Sequence, residues 1–258
     1  PDGIASPMWA KTTVDMLGRT VKAERPGYGG ATLTSTYAYN DKGQLEKTTT
    51  IGSADTLYAH DDLGNQIRIA QDINDNGVID LAGPDRVSET QTDSVQESGD
   101  WYRRSLSILY PEGGSDTPVT NSIAKIRLTG LGTASALGML TAESTAIDIH
   151  GNETVSQRHV DRATKTVTLV VNTPDSTNDA VTASINGLVQ SAESKTGVMT
   201  SYGYDGFGRR TSVSDGRGNT SAMAYNDKGQ VAYTEDAASN RTSNAYNGIG
   251  RRIAVTNA

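Results

Sequence analysis

Apolar and polar positions alternate along this chain in short runs, broken at near-regular intervals by Asp or Asn, two variable residues and Gly. In the C-terminal part the runs between breaks are "TSVS", "TSAMAY" and "VAYTE", four to six residues each and rich in Thr, Val and Tyr. Alternation over so few residues predicts half-buried strands. The breaks predict turns. Asp or Asn at the first turn position bonds the backbone two residues on, and Gly at the fourth accepts a positive φ. A type I turn followed by a left-handed glycine is a common hairpin connection, so the pattern predicts a meander of short antiparallel strands.

The breaks are periodic. Asp205, Asp215, Asn226, Asp236 and Asn247 open successive turns ten or eleven residues apart, closed by Gly208, Gly218, Gly229, Ser239 and Gly250. Two half-units alternate: one has Tyr before the turn and Arg or Gln after it, the other lacks the Tyr and ends in Asn. The full period is 21 residues, or one hairpin. The N-terminal part repeats it as "YAYNDKGQ" (37–44) and "YAHDDLGN" (58–65), and the first phrase returns as "MAYNDKGQ" (223–230). "VDMLGR" (14–19) and "IDIHGN" (147–152) are further copies. Single hairpins cannot bury a face alone, so the units must stack into a continuous sheet or solenoid.

The repeated Tyr-Asp-x-x-Gly-Arg phrase resembles the YD repeats of the Rhs and teneurin-like proteins, most clearly over 14–65 and 204–257 and more weakly over 147–165. That resemblance implies an all-β sheet spiralling into a hollow shell. In bacterial members the shell commonly encloses a C-terminal toxin; in teneurin-like members it is an extracellular scaffold. The expected function is a non-enzymatic wall segment of a secreted or cell-surface protein, with the rest of the parent polypeptide and an enclosed toxin or other cargo as partners. One departure stands out: the Asp-Pro cleavage dipeptide often found in family shells is absent. The start "PDGIASPMW" and the end "VTNA", which falls in mid-pattern, read as a piece of a longer chain. The expected organisation is a repeat segment at 1–65, a longer-stranded β region at 66–200, and a second repeat segment at 201–258.

Within the central region "NQIRIAQ" (65–71), "RRSLSIL" (103–109), "AKIRLTG" (124–130) and "TKTVTLVV" (164–171) read as longer strands, punctuated at "YPEGGSDTP" and "NTPDSTND". "ASALGMLTAES" (134–144) is the one stretch compatible with a short helix, and equally with strand. "DINDNGVID" (72–80) places oxygen ligands at Asp72, Asn74, Asn76 and Asp80, with Gly77 at the sharp turn and the Val78 carbonyl between. This follows the first nine positions of an EF-hand loop, while position twelve is Gly83 where a bidentate Glu is usual. The expected cofactor is a calcium ion (Ca2+), held at roughly 10⁻⁵ to 10⁻³ M, with Asp85 as a possible additional ligand. A plain Asn/Asp/Gly turn is the competing reading.

Composition narrows the field. A formal charge of −7 and 11 tyrosines against one phenylalanine describe an acidic, polar chain with no basic field for nucleic acid. The pairs Arg103-Arg104, Arg209-Arg210 and Arg251-Arg252 sit among carboxylates and read as solvated faces. There is no cysteine, and no apolar run long enough to span a bilayer. His60, His150 and His159 each fit a repeat, a turn or a strand, and no nucleophile elbow or dinucleotide loop is present. A hydrolase within 86–200 would need carboxylates or a histidine clustered in a pocket. The pairs Tyr37/Tyr39 and Tyr202/Tyr204 put two rings on one strand face. This suggests a second role, adhesion or binding of cell-surface carbohydrate, against packing within the sheet.

Overall fold

The computed structural model describes residues 8–111, 117–175 and 177–257. Most of the "YPEGGSDTP" punctuation, and Ala258, lie outside the described residues. The described chain is all-β and antiparallel, with 21 strands and one three-residue 3-10 turn at Tyr28–Gly30. In chain order the strands begin with β1 (Lys11–Val14), β2 (Thr20–Pro26), β3 (Thr32–Tyr39), β4 (Leu45–Thr50), β5 (Asp55–His60) and β6 (Gln66–Asp72). Longer strands follow: β7 (Arg86–Glu97), β8 (Asp100–Tyr110), β9 (Val119–Arg127), the two-residue β10 (Ala134–Ser135), β11 (Gly138–Ile147), β12 (Glu153–Asp161) and β13 (Thr166–Asn172). The last eight are β14 (Ala180–Ile185), β15 (Leu188–Glu193), β16 (Met199–Tyr204), β17 (Arg210–Ser214), β18 (Thr220–Tyr225), β19 (Val231–Glu235), β20 (Arg241–Tyr246) and β21 (Arg252–Asn257).

Contacts divide the chain into two compact units. The first comprises residues up to Asp93 together with Arg104–Ile123, and the second comprises Ser94–Arg103 and everything from Ala124 onward. In the first unit β1 to β7 each pair with their neighbour in sequence. In the second, β10 to β21 do the same. Both are meanders, the topology that short strands joined by tight turns produce. The stretch 134–144 resolves to strand: β10 turns at once into β11, and the described residues hold no α-helix. Among the described residues no helix is long and apolar enough to cross a membrane.

The sheet is thinly covered. Among the described residues only Leu57, Ala70, Val87, Ile108, Leu140 and Val170 are buried apolar side chains. Leu57, Ala70 and Val87 come from β5, β6 and β7 and share one face; Ile79 and Leu81, from the loop after β6, and Tyr110 pack against them. On that face Lys47 pairs with the buried Asp55, and Arg68 pairs with the buried Glu89, which also accepts from Tyr110 Oη at 2.8 Å and Gln91 Nε2 at 2.8 Å. In the second unit Arg127 joins Asp100 and Glu143, and Glu143 accepts from Tyr102 Oη and Gln157 Nε2.

Candidate functional site: a linked row of turns and the loop at 72–85

Ten turns among the described residues share one construction. In the turn at 205–208 the Gly208 N–H donates to the Asp205 carbonyl at 3.0 Å, and the Asp205 N–H donates to the Arg209 carbonyl at 3.0 Å. The fourth residue is left-handed in all ten, with φ between +66° and +91°. Gly supplies it everywhere except at Ser239, whose φ is +66°. Gly218, Gly229 and Gly250 occupy the same place in turns opened by Asp215, Asn226 and Asn247.

The first residue is spent on the turn. Asp205 Oδ1 accepts from the backbone of Phe207 and of Arg209, both at 3.0 Å, and Oδ2 takes Arg209 Nε at 2.7 Å. Asp215 does the same with Arg217, Asn219 and the Asn219 amide. At two Asn openers Gln fills the fifth position and accepts from the opener's amide: Asn40 Nδ2 donates to Gln44 Oε1 at 2.7 Å, and Asn226 Nδ2 to Gln230 Oε1 at 2.9 Å. At Asn247 the fifth residue is Arg251, whose backbone N–H donates to Asn247 Oδ1 at 2.9 Å. In eight of the ten turns the first and fifth side chains are thus matched, an acceptor with a donor; those opened by Ser194 and Asn247 are the exceptions. Backbone and side-chain donors from the fifth residue outweigh the cost of burial and hold the Asp15, Asp215 and Asp236 carboxyls below the usual range.

Successive turns on one rim are tied together. Tyr204, Tyr225 and Tyr246 each reach fifteen residues back and donate to the carbonyls of Val189, Arg210 and Val231, at 2.8 to 2.9 Å. Tyr39 reaches nineteen residues back to the Thr20 carbonyl at 2.8 Å. The Arg209 guanidinium lies 4.4 Å from the Tyr225 ring centre, and Arg19 4.5 Å from Tyr39, within cation–π range. Gln230 Nε2 donates to the Gly250 carbonyl of the next turn at 2.9 Å. A Cβ at Gly250 would lie 3.1 Å from that same amide, so the approach needs a bare backbone as well as a positive φ.

These connections answer two expectations. Tyr39 and Tyr204 are half-buried with their hydroxyls bonded to backbone, and Tyr37 and Tyr202 are half-buried too, so the structure gives these rings packing work. A cavity of about 760 Å³ in the first unit is lined by Asp61, Glu89 and Asp93 among others, but each carboxylate already holds a partner: Asn65, Arg68 and Arg104. His60 ends β5, His150 sits in a turn, and His159 is buried with Ser135 Oγ 3.2 Å from Nδ1 and Gln157 Oε1 3.4 Å from Nε2. Ser135 Oγ also donates to the Gly138 carbonyl, which ties it into a structural network.

The loop at 73–85 folds over the buried patch of the first unit. Asp72 and Asp85, 2% and 1% exposed, are its anchors. Asp72 accepts from the backbone of Asn76 at 3.1 Å and Gly77 at 2.8 Å; Asp85 accepts from Ile73 and Asp80, both at 3.0 Å. Both Asp85 oxygens are therefore engaged by backbone. Asp80 Oδ2 takes the amides of Asn74 at 2.9 Å and Asn76 at 2.7 Å, and the Val78 N–H donates to Asn76 Oδ1. The oxygen-bearing side chains of Asp72, Asn74, Asn76 and Asp80 are gathered on one loop, but it closes on itself. Among the described residues no three His, Asp or Glu side chains converge as they would around a metal ion.

The RHS Repeat family matches residues 186–220, which run from the β14–β15 turn through the turns at 205 and 215. Residues 186–220 thus carry an RHS repeat. The turn built there recurs outside the matched stretch, at 15–18, 40–43, 61–64, 148–151, 226–229, 236–239 and 247–250. No curated protein matches. Among solved structures, TcdB2-TccC3 without its hypervariable C-terminal region matches at 9% identity and a TM-score of 0.29, over 96% of this chain and 15% of that one. A second TcdB2-TccC3 structure gives 12% and 0.27, over 96% and 19%. A variant of the Photorhabdus luminescens Tc holotoxin pore gives 11% and 0.23, over 95% and 15%. This chain spans less than a fifth of each of these.

Sequence reasoning missed the links between repeats. The signal was present as the matched chemistry of first and fifth positions in most turns, Asp with Arg or Asn and, at Asn40 and Asn226, Asn with Gln. The period alone does not say that the fifth side chain also touches the next turn.

Proposed function

We propose that this chain is a stretch of wall in a larger, secreted RHS-repeat protein, and that the wall encloses a cargo such as a toxin. The observation that carries the reading is the linkage between turns. Tyr hydroxyls and fifth-position side chains tie each hairpin to the one before, so the sheet is held along its rim without a second layer. A sheet with so few buried apolar residues suits a partition better than a compact catalytic domain. Electron microscopy of the intact parent protein, with its C-terminal end mapped by mass spectrometry, tests this. A hollow particle with internal density and a separable C-terminal piece supports it; an open rod or a sealed, empty particle overturns the cargo role.

We also propose that the loop at 72–80 takes calcium weakly, through Asp72, Asn74, Asn76, Asp80 and the Val78 carbonyl. The order of oxygen-bearing residues supports this, while the bonds from both Asn amides to Asp80 must be displaced, which keeps affinity low. Calcium near 1 mM, on the order of the weakest such sites, should raise the melting temperature where magnesium does not. No shift with calcium makes the segment a plain turn.

A further inference from the structure

The turns of the second unit fall on two rims. Those at 205–208, 226–229 and 247–250 share one; those at 194–197, 215–218 and 236–239 share the other, because successive hairpin turns alternate between sheet edges. The bonds that close each turn use only the backbone N–H of its third position, and the Phe207 ring meets the Arg209 guanidinium 5.1 Å from its centre. On the first rim this position holds Phe207, Lys228 and Ile249; on the second it holds Thr196, Arg217 and Ala238. Phe207 is 86% exposed and Ile249 89%. Nothing in the turn requires an apolar residue there, as Lys228 fills the same place.

The three tips are neighbours. Lys228 Nζ lies 3.5 Å from the Gly248 carbonyl, and Gln230 Nε2 2.9 Å from that of Gly250. Tips two strands apart lie about 10 Å from one another, which puts Phe207 and Ile249 about 20 Å apart with Lys228 between. In and beside these turns the sequence places Arg210, Lys228, Arg251 and Arg252 against Asp227, while Arg209 is paired with Asp205. A chain of net charge −7 thus carries a locally cationic rim with large apolar knobs at its crest.

From this juxtaposition we propose that the 205–252 rim rests on an anionic lipid surface, its two apolar tips entering the interface and its cations meeting the headgroups. A protein partner would need hollows spaced to match isolated convex knobs, whereas a bilayer accepts them at any spacing. Basic residues favour an anionic leaflet, and exposed apolar side chains gain by leaving water there. The contact is peripheral, with no strand or helix crossing the membrane.

Cosedimentation of the 258-residue chain with vesicles tests it, using phosphatidylcholine alone or with phosphatidylserine added. Binding is expected only with phosphatidylserine, and should weaken as salt rises. The double variant Phe207→Ser/Ile249→Ser should bind at least tenfold more weakly with an unchanged melting temperature. Leu17→Ser/Leu63→Ser, on exposed tips of the first unit where carboxylates outnumber cations, should bind as the parent does. Absence of binding, equal binding to both vesicle types, or an unaffected Phe207/Ile249 variant overturns the proposal. If that variant instead abolishes self-association in sedimentation velocity while vesicles go unbound, the rim is a protein interface and the lipid assignment falls.

Discussion

Residues 201–257 contain no fully buried side chain, whereas β5 to β7 and their overlying loop bury Leu57, Ala70, Val87, Asp72, Asp85 and Glu89. The two regions hold the same kind of sheet by different means. The C-terminal repeats rely on local turn bonds and on side chains that bridge to the next turn. The β5–β7 patch relies on burial and on ion pairs that burial strengthens. A repeat sheet can therefore dispense with a second layer only where its turns are linked. Between β6 and β7 the tight turn is replaced by a thirteen-residue loop that covers the face itself.

The largest effect should come from the buried patch. Arg68→Met leaves Glu89 buried without its cation and should cost about 3 kcal/mol in chemical denaturation, at the low end for a broken buried pair because Arg68 is partly exposed. Burial pushes the Glu89 carboxyl up, but bonds from Arg68, Gln91 and Tyr110 outweigh it and hold the group low. Without Arg68 that balance weakens, so the deficit should shrink as pH falls below about 4.3, where a carboxyl of this type protonates. A deficit independent of pH would mean the loss is one of packing.

Gly208→Val should come next, at about 2 kcal/mol, because a β-branched residue at φ +77° is strained. Gly229→Val and Gly250→Val should cost at least as much, since their added side chains also meet Arg209 or Gln230. Equal melting temperatures for parent and variants would break the account of the turns.

A smaller effect is expected on the acid limb. The lowered Asp205, Asp215 and Asp236 carboxyls contribute stability above the ordinary value of about 3.9, and lose it as pH falls through their folded values. Changing all three to Asn should flatten the acid unfolding curve relative to the parent. Smallest, and opposite in sign, is Ser239→Gly. Relieving a non-glycine residue at φ +66° should stabilise by about 0.5–1 kcal/mol, read as a small rise in melting temperature.

Strand positions and turn sites were legible because Asp, Asn, Gly and Tyr recur with a fixed spacing, and each has a local physical reason for its place. β17, β18 and β19 coincide almost residue for residue with the runs "TSVS", "TSAMAY" and "VAYTE". The stretch 134–144 stayed ambiguous because Ala, Leu and Met suit either state, and pairing with β12 decided for strand. What could not be read was non-local: Tyr225 finding the Arg210 carbonyl, or Glu89 gathering Arg68 and Tyr110 from strands 21 residues away on either side. The loop at 72–80 shows the same limit: the spacing of its oxygens is legible in the sequence, while the bonds from the Asn74 and Asn76 amides to Asp80 are not.

Pairing between sequence neighbours also has a kinetic side. Each of β10 to β21 meets its partner across a connection of at most about ten residues, so every closure is short and its entropic cost low. Contacts this local favour fast folding by successive addition. A chain emerging from a ribosome or a translocation channel can add one finished hairpin at a time, with a single free edge waiting for the next.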